Sequence, residues 1–504
     1  MIQVDQETCR ACGLCVQECP LGALTLEAKK ITASPACSSC GVCSKVCPHE
    51  AITVYKEAEP GAVQCFSCPV QCLVREGYSG ACKRYANKKG VLVRNRRLVE
   101  KPLADYSSPG YRPLITGVGA GTTYPDSKPA PYIVSRKVDD VELVTVVTEA
   151  PLSYSGIKIK IDTNFHIGEE GARVRRHGKL VGRVTTEEYG SKMLALGGVN
   201  LLSGETGFTV ARTIVDLANK EKVELSVENG SKLEIRIGDK PVIDGRQDTR
   251  MRIGCGSATI GLFARRLKDI VEEAIILDHH IIGLLSEHPA GREVGMKYSG
   301  ITPVGRKSTV GRYFGQAGSG WGDTVVENPA EAVAKVDMSI ARAGMRLLVT
   351  ETTGRRAALL EVTPSGGLRE IPLTPEVVDF MHTLAESCEE SRVSGIYTGG
   401  SGGSARAGVT DYPLRLTRSV HSGEVILTVG GAPVYILPGG GINFLVDVEK
   451  VIPRAFAWVP TPATVAPLEY TMTLKTYEKI GGKTEYITTV EDALRRGSGE
   501  RVSY

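Results

Sequence analysis

The chain carries little net charge. Its formal value is +4 over 504 residues, which gives no strong pull toward nucleic acid or an acidic membrane surface. It also has no run approaching about 18 continuous apolar residues, so an ordinary transmembrane helix is excluded. The opening Met1-Ile2-Gln3-Val4-Asp5 lacks the basic and apolar regions of a secretory leader, and a cytoplasmic location is the expectation. Glycine clusters are many, yet none reads G-x-G-x-x-G between a strand and a helix, and none carries a P-loop lysine. What remains has the balance of a globular protein, 42% apolar and 23% charged. Its length allows two or three domains and at least one large core.

Cysteine is nearly absent after residue 82 and dense before it. Of 14 cysteines, all but Cys255 and Cys388 fall in three groups of four. The first is Cys9, Cys12, Cys15 and Cys19, followed by Pro20. The second is Cys37, Cys40, Cys43 and Cys47, followed by Pro48. Each reads C-x2-C-x2-C-x3-C-P, the spacing of bacterial-type ferredoxins. Three cysteines two residues apart wrap a tight loop around one cube face, and the fourth, fixed by its proline, reaches the other cluster. One 4Fe-4S cluster is therefore expected on Cys9, Cys12, Cys15 and Cys47, and a second on Cys37, Cys40, Cys43 and Cys19. Disulfides do not suit a chain without a leader, and zinc sites seldom carry two tandem copies of this motif with both prolines. Ala23-Leu24-Thr25-Leu26 and Ala51-Ile52-Thr53-Val54 repeat each other after each Cys-Pro, as in an internally duplicated domain.

The third group, Cys65, Cys68, Cys72 and Cys82, is spaced differently. Four thiolates there can hold a third 4Fe-4S cluster or a structural zinc ion. Spacing does not choose, and adjacency to the two-cluster region favours a cluster that continues the electron path. Either metal would nucleate a Gly-containing segment with little core of its own.

The expected fold is α+β: a small ferredoxin domain (1–58), a four-cysteine module and basic connector (59–113), a large Gly-rich mixed domain (114–480) and a polar, peripheral tail (481–504). Strands are predicted at Val141–Val147, Gly156–Asp162, Val223–Val227, Val425–Val429, Val434–Leu437 and Phe444–Val448. Helices are predicted over 209–219, 258–273, 330–343 and 376–390.

Chemistry-bearing groups gather in a few places. Asp278, His279, His280, Glu287 and His288 follow an apolar run that reads as a buried strand. Imidazoles and carboxylates at a strand end suit proton transfer near neutral pH, or a structural polar network. Gly254-Cys255-Gly256-Ser257-Ala258-Thr259 frames Cys255 in a glycine turn, beside the hydroxyls of Ser257 and Thr259. Arg406, in the Gly402–Asp411 loop, is a candidate clamp for a carboxylate or phosphate; the plainer alternative is an ion pair with Asp411. Tyr124 and Arg312 lie in other polar stretches.

From Cys65 to about Thr476 the chain resembles the 6-hydroxynicotinate reductase family. The resemblance rests on the third cysteine group, Gly119–Asp126, Val144–Glu149, Lys160–Thr163, Arg252–Gly261, Asp278–Gly291, Gly311–Phe314, Gly399–Asp411, Gly430–Pro433, Tyr435–Val446 and Val459–Pro462. The two-cluster ferredoxin then looks like a fused extension. The resemblance implies reductive dearomatisation of a hydroxylated pyridine carboxylate, with reduced ferredoxin or another low-potential donor, iron–sulfur and flavin (FAD or FMN). For that chemistry, Arg406 or Arg312 is expected to anchor the substrate's carboxylate, and His280, oriented by Asp278 or Glu287, to supply the proton. His279 stands where an acidic residue is expected, and Pro289 follows His288. Ser257-Ala258-Thr259 is reminiscent of the end of a covalent flavin-attachment signal, without its leading aspartate. A small cyclic substrate, redox partner subunits and an oligomeric state fit this reading. The alternative is an electron-transfer or scaffold subunit with no chemistry of its own.

Overall fold

The computed structural model describes the chain except residues 1, 58, 67–69, 84, 95–99, 102–114, 117–129, 131, 153–154, 186–191, 252–253, 279–280, 305–319, 460–462 and 499–504. At the N-terminus, Ile2–Val4 and Ile52–Val54 pair antiparallel and close a small unit on itself. Within it, Leu24–Glu27 and Lys30–Ala33 form a hairpin. Two short helices, Leu14–Gln17 and Val42–Val46, each begin after a glycine, Gly13 at φ 74° and Gly41 at φ 84°. That left-handed backbone is what glycine supplies without strain, and it lets the chain curl around the thiols. The core is thin: Leu24, Ile31 and Ile52 pack against Cys15 and Cys43.

The third cysteine group lies on two further hairpins, Val63–Gln64 with Leu73–Val74 and Tyr85–Lys88 with Val91–Arg94. It is seated on the first unit by the Leu73 N–H, which donates to the Ser38 carbonyl (2.9 Å). The Arg75 guanidinium adds bonds to the carbonyls of Pro35 and Cys37 and to Glu59.

The large body has two parts. One is a closed barrel. Its strands used below are β1 (Tyr132–Val138), β2 (Val141–Leu152), β3 (Gly156–Asp162) and β4 (Lys179–Thr185). The helix α1 (Gly207–Ala218) follows. The other part is inserted before β5 (Arg392–Ser401), after which β6 (Ile426–Val429) and β7 (Ala463–Thr473) complete the barrel. β2 and β7 pair antiparallel along ten positions, from Leu143↔Thr473 to Leu152↔Thr464. β3 alternates: Ile157, Ile159 and Ile161 face the core while Lys158 and Lys160 do not, as period-2 geometry requires. α1 buries Val210, Ile214 and Leu217 in the same core as Tyr397, Phe444, Tyr470 and Tyr477. Every residue of β7 from Ala463 to Met472 is buried, so this strand is covered on its outer face as well.

The inserted part is a five-stranded sheet with two helices on one face. Helix α2 (Gly256–Ile270) runs into strand β8 (Glu273–Asp278), which lies parallel to β9 (Arg346–Glu351). α2 packs Ile260 and Leu267 against Val377, Phe380 and Leu384 of helix α3 (Pro375–Glu386). A buried carboxylate ties the two parts: Asp248 accepts from the Arg355 guanidinium (2.8 Å) and the Thr163 hydroxyl (2.8 Å).

Two expectations are corrected. Residues 330–343 form a single 3-10 turn, Pro329–Ala332, and then strand Val333–Val336. The valines that look like a helical stripe pair with Ile301–Pro303 instead, a tertiary choice that favours β-branched residues. The tail is not peripheral: Thr488–Thr489 pairs parallel with Val134–Ser135, and Ala493 is fully buried against Tyr132, Val134 and Val147.

Candidate functional site

The cysteines form a line. Each thiol's neighbours are visible in the fields that reach it: Cys12 and Cys47 around Cys15, and Cys37, Cys19 and Cys15 around Cys43. Cys40 feels Cys72 of the third group, then Cys43 and Cys19. Cys47 thus lies with the first triplet and Cys19 with the second. Burial pushes the Cys40 and Cys43 thiols up to about 12. Among the described residues no three His, Cys, Asp or Glu side chains close on one ion-sized point. A four-iron cube holds its thiolates at its corners, wider apart than a single ion does. An all-cysteine donor set in an apolar shell suits such a cube. Amide N–H groups point at two of the sulfurs, Ala23 at Cys19 Sγ (3.3 Å) and Ala81 at Cys72 Sγ (3.5 Å). Cys68 lies outside the described residues.

The line continues into the barrel. Cys65 and Cys72 share a small apolar cluster with Val70, Val74 and Ala81, and Cys40 packs against it. Cys82 packs against Ala463 and Val465, at the start of β7. The first unit docks separately through Glu18, which is 2% exposed although it lies between two ligand positions. Its Oε1 accepts from Lys179 Nζ on β4 (3.1 Å) and from the Thr209 hydroxyl on α1 (2.9 Å). The Gln17 carbonyl beside it accepts from Arg212 (2.9 Å). Sequence reasoning passed over Glu18; a lone acid between Cys15 and Cys19 was the available signal.

A second constellation sits at the start of α2, at the carboxyl end of β8. The chain turns there on Gly254 and Gly256, and Asp278 Oδ2 accepts from the Gly256 N–H (3.1 Å). Asp278 is 2% exposed, and its carboxylate caps the turn that opens α2. Cys255 is the N-cap, its Sγ accepting from the Ala258 N–H (3.4 Å). The Ser257 hydroxyl meets His288 Nε2 at 2.9 Å. The Ala290 N–H donates to His288 Nδ1 (3.1 Å), which leaves the ring proton on Nε2, donated to Ser257. Burial holds this imidazole below its ordinary value, so it is neutral at pH 7 and hands Ser257 a proton-bearing nitrogen. Gly291 permits the loop: a Cβ there would lie 1.9 Å from the Leu285 carbonyl oxygen.

Other candidates fall elsewhere. Thr259 is fully buried and gives its hydroxyl to the Cys255 carbonyl (3.1 Å), so it offers no open face for covalent flavin. Glu287 is exposed. Arg406 is held by the Thr417 hydroxyl (2.8 Å) and the Gly402 carbonyl (3.3 Å) in the barrel. Asp411 pairs with Lys483 (2.5 Å) rather than with Arg406. Tyr124, His279, His280 and Arg312 lie outside the described residues.

A ferredoxin-like cysteine module set against a large catalytic body is the build of an iron–sulfur oxidoreductase. A family model described as a 4Fe-4S binding domain matches residues 2–25. The chain is 52% identical over 497 residues to 6-hydroxynicotinate reductase of Eubacterium barkeri, covering 98% of this chain and 100% of that protein. It therefore belongs to the 6-hydroxynicotinate reductase family. No solved structure matches it.

Proposed function

We propose that this oxidoreductase takes electrons from a low-potential donor of the ferredoxin type and reduces a hydroxylated N-heteroaromatic ring such as 6-hydroxynicotinate. The observation that carries this is the unbroken order of cysteines, from Cys15 through Cys43, Cys40 and Cys72 to Cys82 against the barrel wall. Cys9, Cys12, Cys15 and Cys47 would hold one 4Fe-4S cluster, and Cys19, Cys37, Cys40 and Cys43 a second. The third group would hold another cluster rather than zinc, because it packs on Cys40 on one side and the barrel on the other. When bound, such clusters supply one-electron transfer at low potential.

Saturating a ring bond takes two electrons with protons, and a two-electron carrier such as flavin between cluster and ring would pair the electrons that clusters deliver singly. The described residues single out no flavin site, and the buried Thr259 hydroxyl does not fit covalent attachment. What the chain does at the start of α2 is clearer. Asp278 fixes the glycine turn, and His288 holds a proton on Nε2 and orients the Ser257 hydroxyl. Together they suit hydrogen bonding and proton handling at a carbonyl or ring nitrogen.

The test is an anaerobic preparation with iron, sulfide, zinc and flavin counted, assayed for 6-hydroxynicotinate reduction with reduced ferredoxin. About twelve irons with turnover supports the proposal. About eight irons, one zinc ion and no turnover would make the chain an electron-transfer subunit instead.

A further inference from the structure

The outer face of β2 and β7 carries two carboxyls that the reading above does not use. Glu149 and Glu469 are both 0% exposed. The register sets Glu149 opposite Pro467 and Val147 opposite Glu469, so the two acids are diagonal neighbours on one face, within reach of long side chains. Glu469 Oε2 accepts from the Thr428 hydroxyl on β6 (2.7 Å) and from the Gly431 N–H (3.3 Å). Among the described residues Oε1 has no hydrogen-bond partner. An oxygen that receives two donors is the carbonyl-like one, so a proton on this carboxyl resides on Oε1.

A buried ionised carboxylate with half its lone pairs unanswered is costly, and a second acid beside it raises the cost. Glu469 therefore stays neutral: burial first, with Glu149 adding to it, pushes it up to about 8. Among the described residues, Glu149 is the acidic side chain whose field reaches it.

The same face leads to the cysteines. Four residues along β7 from Glu469 lies Val465, which packs against Cys82. At a strand rise of about 3.4 Å per residue the acid is about 14 Å from that contact.

We propose that Glu469, paired with Glu149, is a proton-binding site coupled to the arrival of an electron at the Cys65–Cys82 group. This rests on the reading that the third cysteine group holds a redox centre. The balance is at most one proton for one electron. One electron from the low-potential donor adds one negative charge to the group. In the window around and above about pH 8, where the group is ionised before the electron arrives, the Glu469 carboxylate takes a proton from water, forming the Oε1–H bond, and that bond breaks again when the electron leaves. At an effective dielectric of about 20, one charge at about 14 Å raises proton affinity about sevenfold, a little under one pKa unit.

The experiment is a redox titration of the third centre in the full chain between pH 6 and 10, with infrared spectra of the same samples. The wild-type midpoint should be flat below about pH 7, fall by about 50 mV in all between about pH 7 and 10 (59 mV per tenfold for one electron), and then level. A neutral-acid C=O band should be present at pH 7. Glu469→Gln, which keeps an acceptor for Thr428 and Gly431, should flatten the midpoint and remove the band. Glu149→Gln should keep the band and move the window to lower pH, since the second acid that raises Glu469 is gone; it serves alone if Glu469→Gln does not fold. About twelve irons with a pH-independent midpoint, or an unmoved window in Glu149→Gln, would overturn the coupling while leaving the electron path standing. Zinc in the third group would overturn the coupling together with the reading on which it rests, and the band would still report whether Glu469 is neutral.

Discussion

Replacing Glu18 with glutamine tests how the electron-entry unit is held. The carboxylate is 2% exposed and bonded to Lys179 (3.1 Å) and Thr209 (2.9 Å). Glutamine keeps the shape and one acceptor for Thr209, but removes the charge that answers Lys179. A hydrogen bond to a charged group contributes about 1.5–3 kcal/mol. Lys179 keeps 23% of its side-chain surface in water, so the lower part of that range applies, about 1.5–2 kcal/mol. That is a loosening of docking by about 10- to 30-fold. The Arg212 bond to the Gln17 carbonyl remains, so the unit stays attached but opens more often. Hydrogen exchange of the amides in Gly207–Ala218 reads this directly: their protection should fall about 10- to 30-fold while iron content stays unchanged. In a double-mutant cycle, Lys179→Met added to Glu18→Gln should cost less than Lys179→Met alone. Unchanged exchange in Glu18→Gln would refute the docking role.

Three further outcomes follow from the geometry. His288 is held below its ordinary value by burial, so its contribution to stability is complete above about pH 6.5 and is lost as pH falls through its folded value. His288→Asn should therefore show a shallower acid-side loss of Tm than wild type. For Asp248, burial pushes the carboxyl up, but Arg355, the Thr163 hydroxyl and the Asn164 N–H outweigh it and hold it below the usual range. Its contribution is full above about pH 3.9 and disappears as pH falls through the folded value. Arg355→Gln should cost about 1–3 kcal/mol at neutral pH and little once the pH is low enough to protonate Asp248, read by denaturant melts. Gly291→Ala forces a methyl onto the Leu285 carbonyl, and should lower Tm and cost turnover together, by displacing His288 from Ser257.

How much of this was legible depended on how local each feature is. The cysteine groups were readable because ligand spacing within a loop is local geometry. Gly156–Asp162 was readable because three isoleucines alternate with lysines along one half-buried strand. β7 was not, because Ala463–Thr473 is covered on both faces and shows no alternation. Closure of the barrel by β2 and β7 joins positions about 300 residues apart in sequence, which no window along the chain registers. At the site, the nearness of Ser257 to Asp278 and His288 was not readable, though all three had been picked out. The bond from the Gly256 N–H to the Asp278 carboxyl was not readable either, because it joins positions on two different elements. Glu18 and Glu469 were missed because a buried acid looks, in sequence, like an exposed one.

The central claim is that electrons reach the substrate through the third cysteine group. The most direct test is single-turnover kinetics of Cys72→Ser, in which the N-terminal clusters and 6-hydroxynicotinate are followed together after mixing with reduced ferredoxin. The account expects the eight-cysteine unit to be reduced at the wild-type rate while ring reduction is lost. Ring reduction at the wild-type rate, with the third group unable to hold its metal, would contradict it.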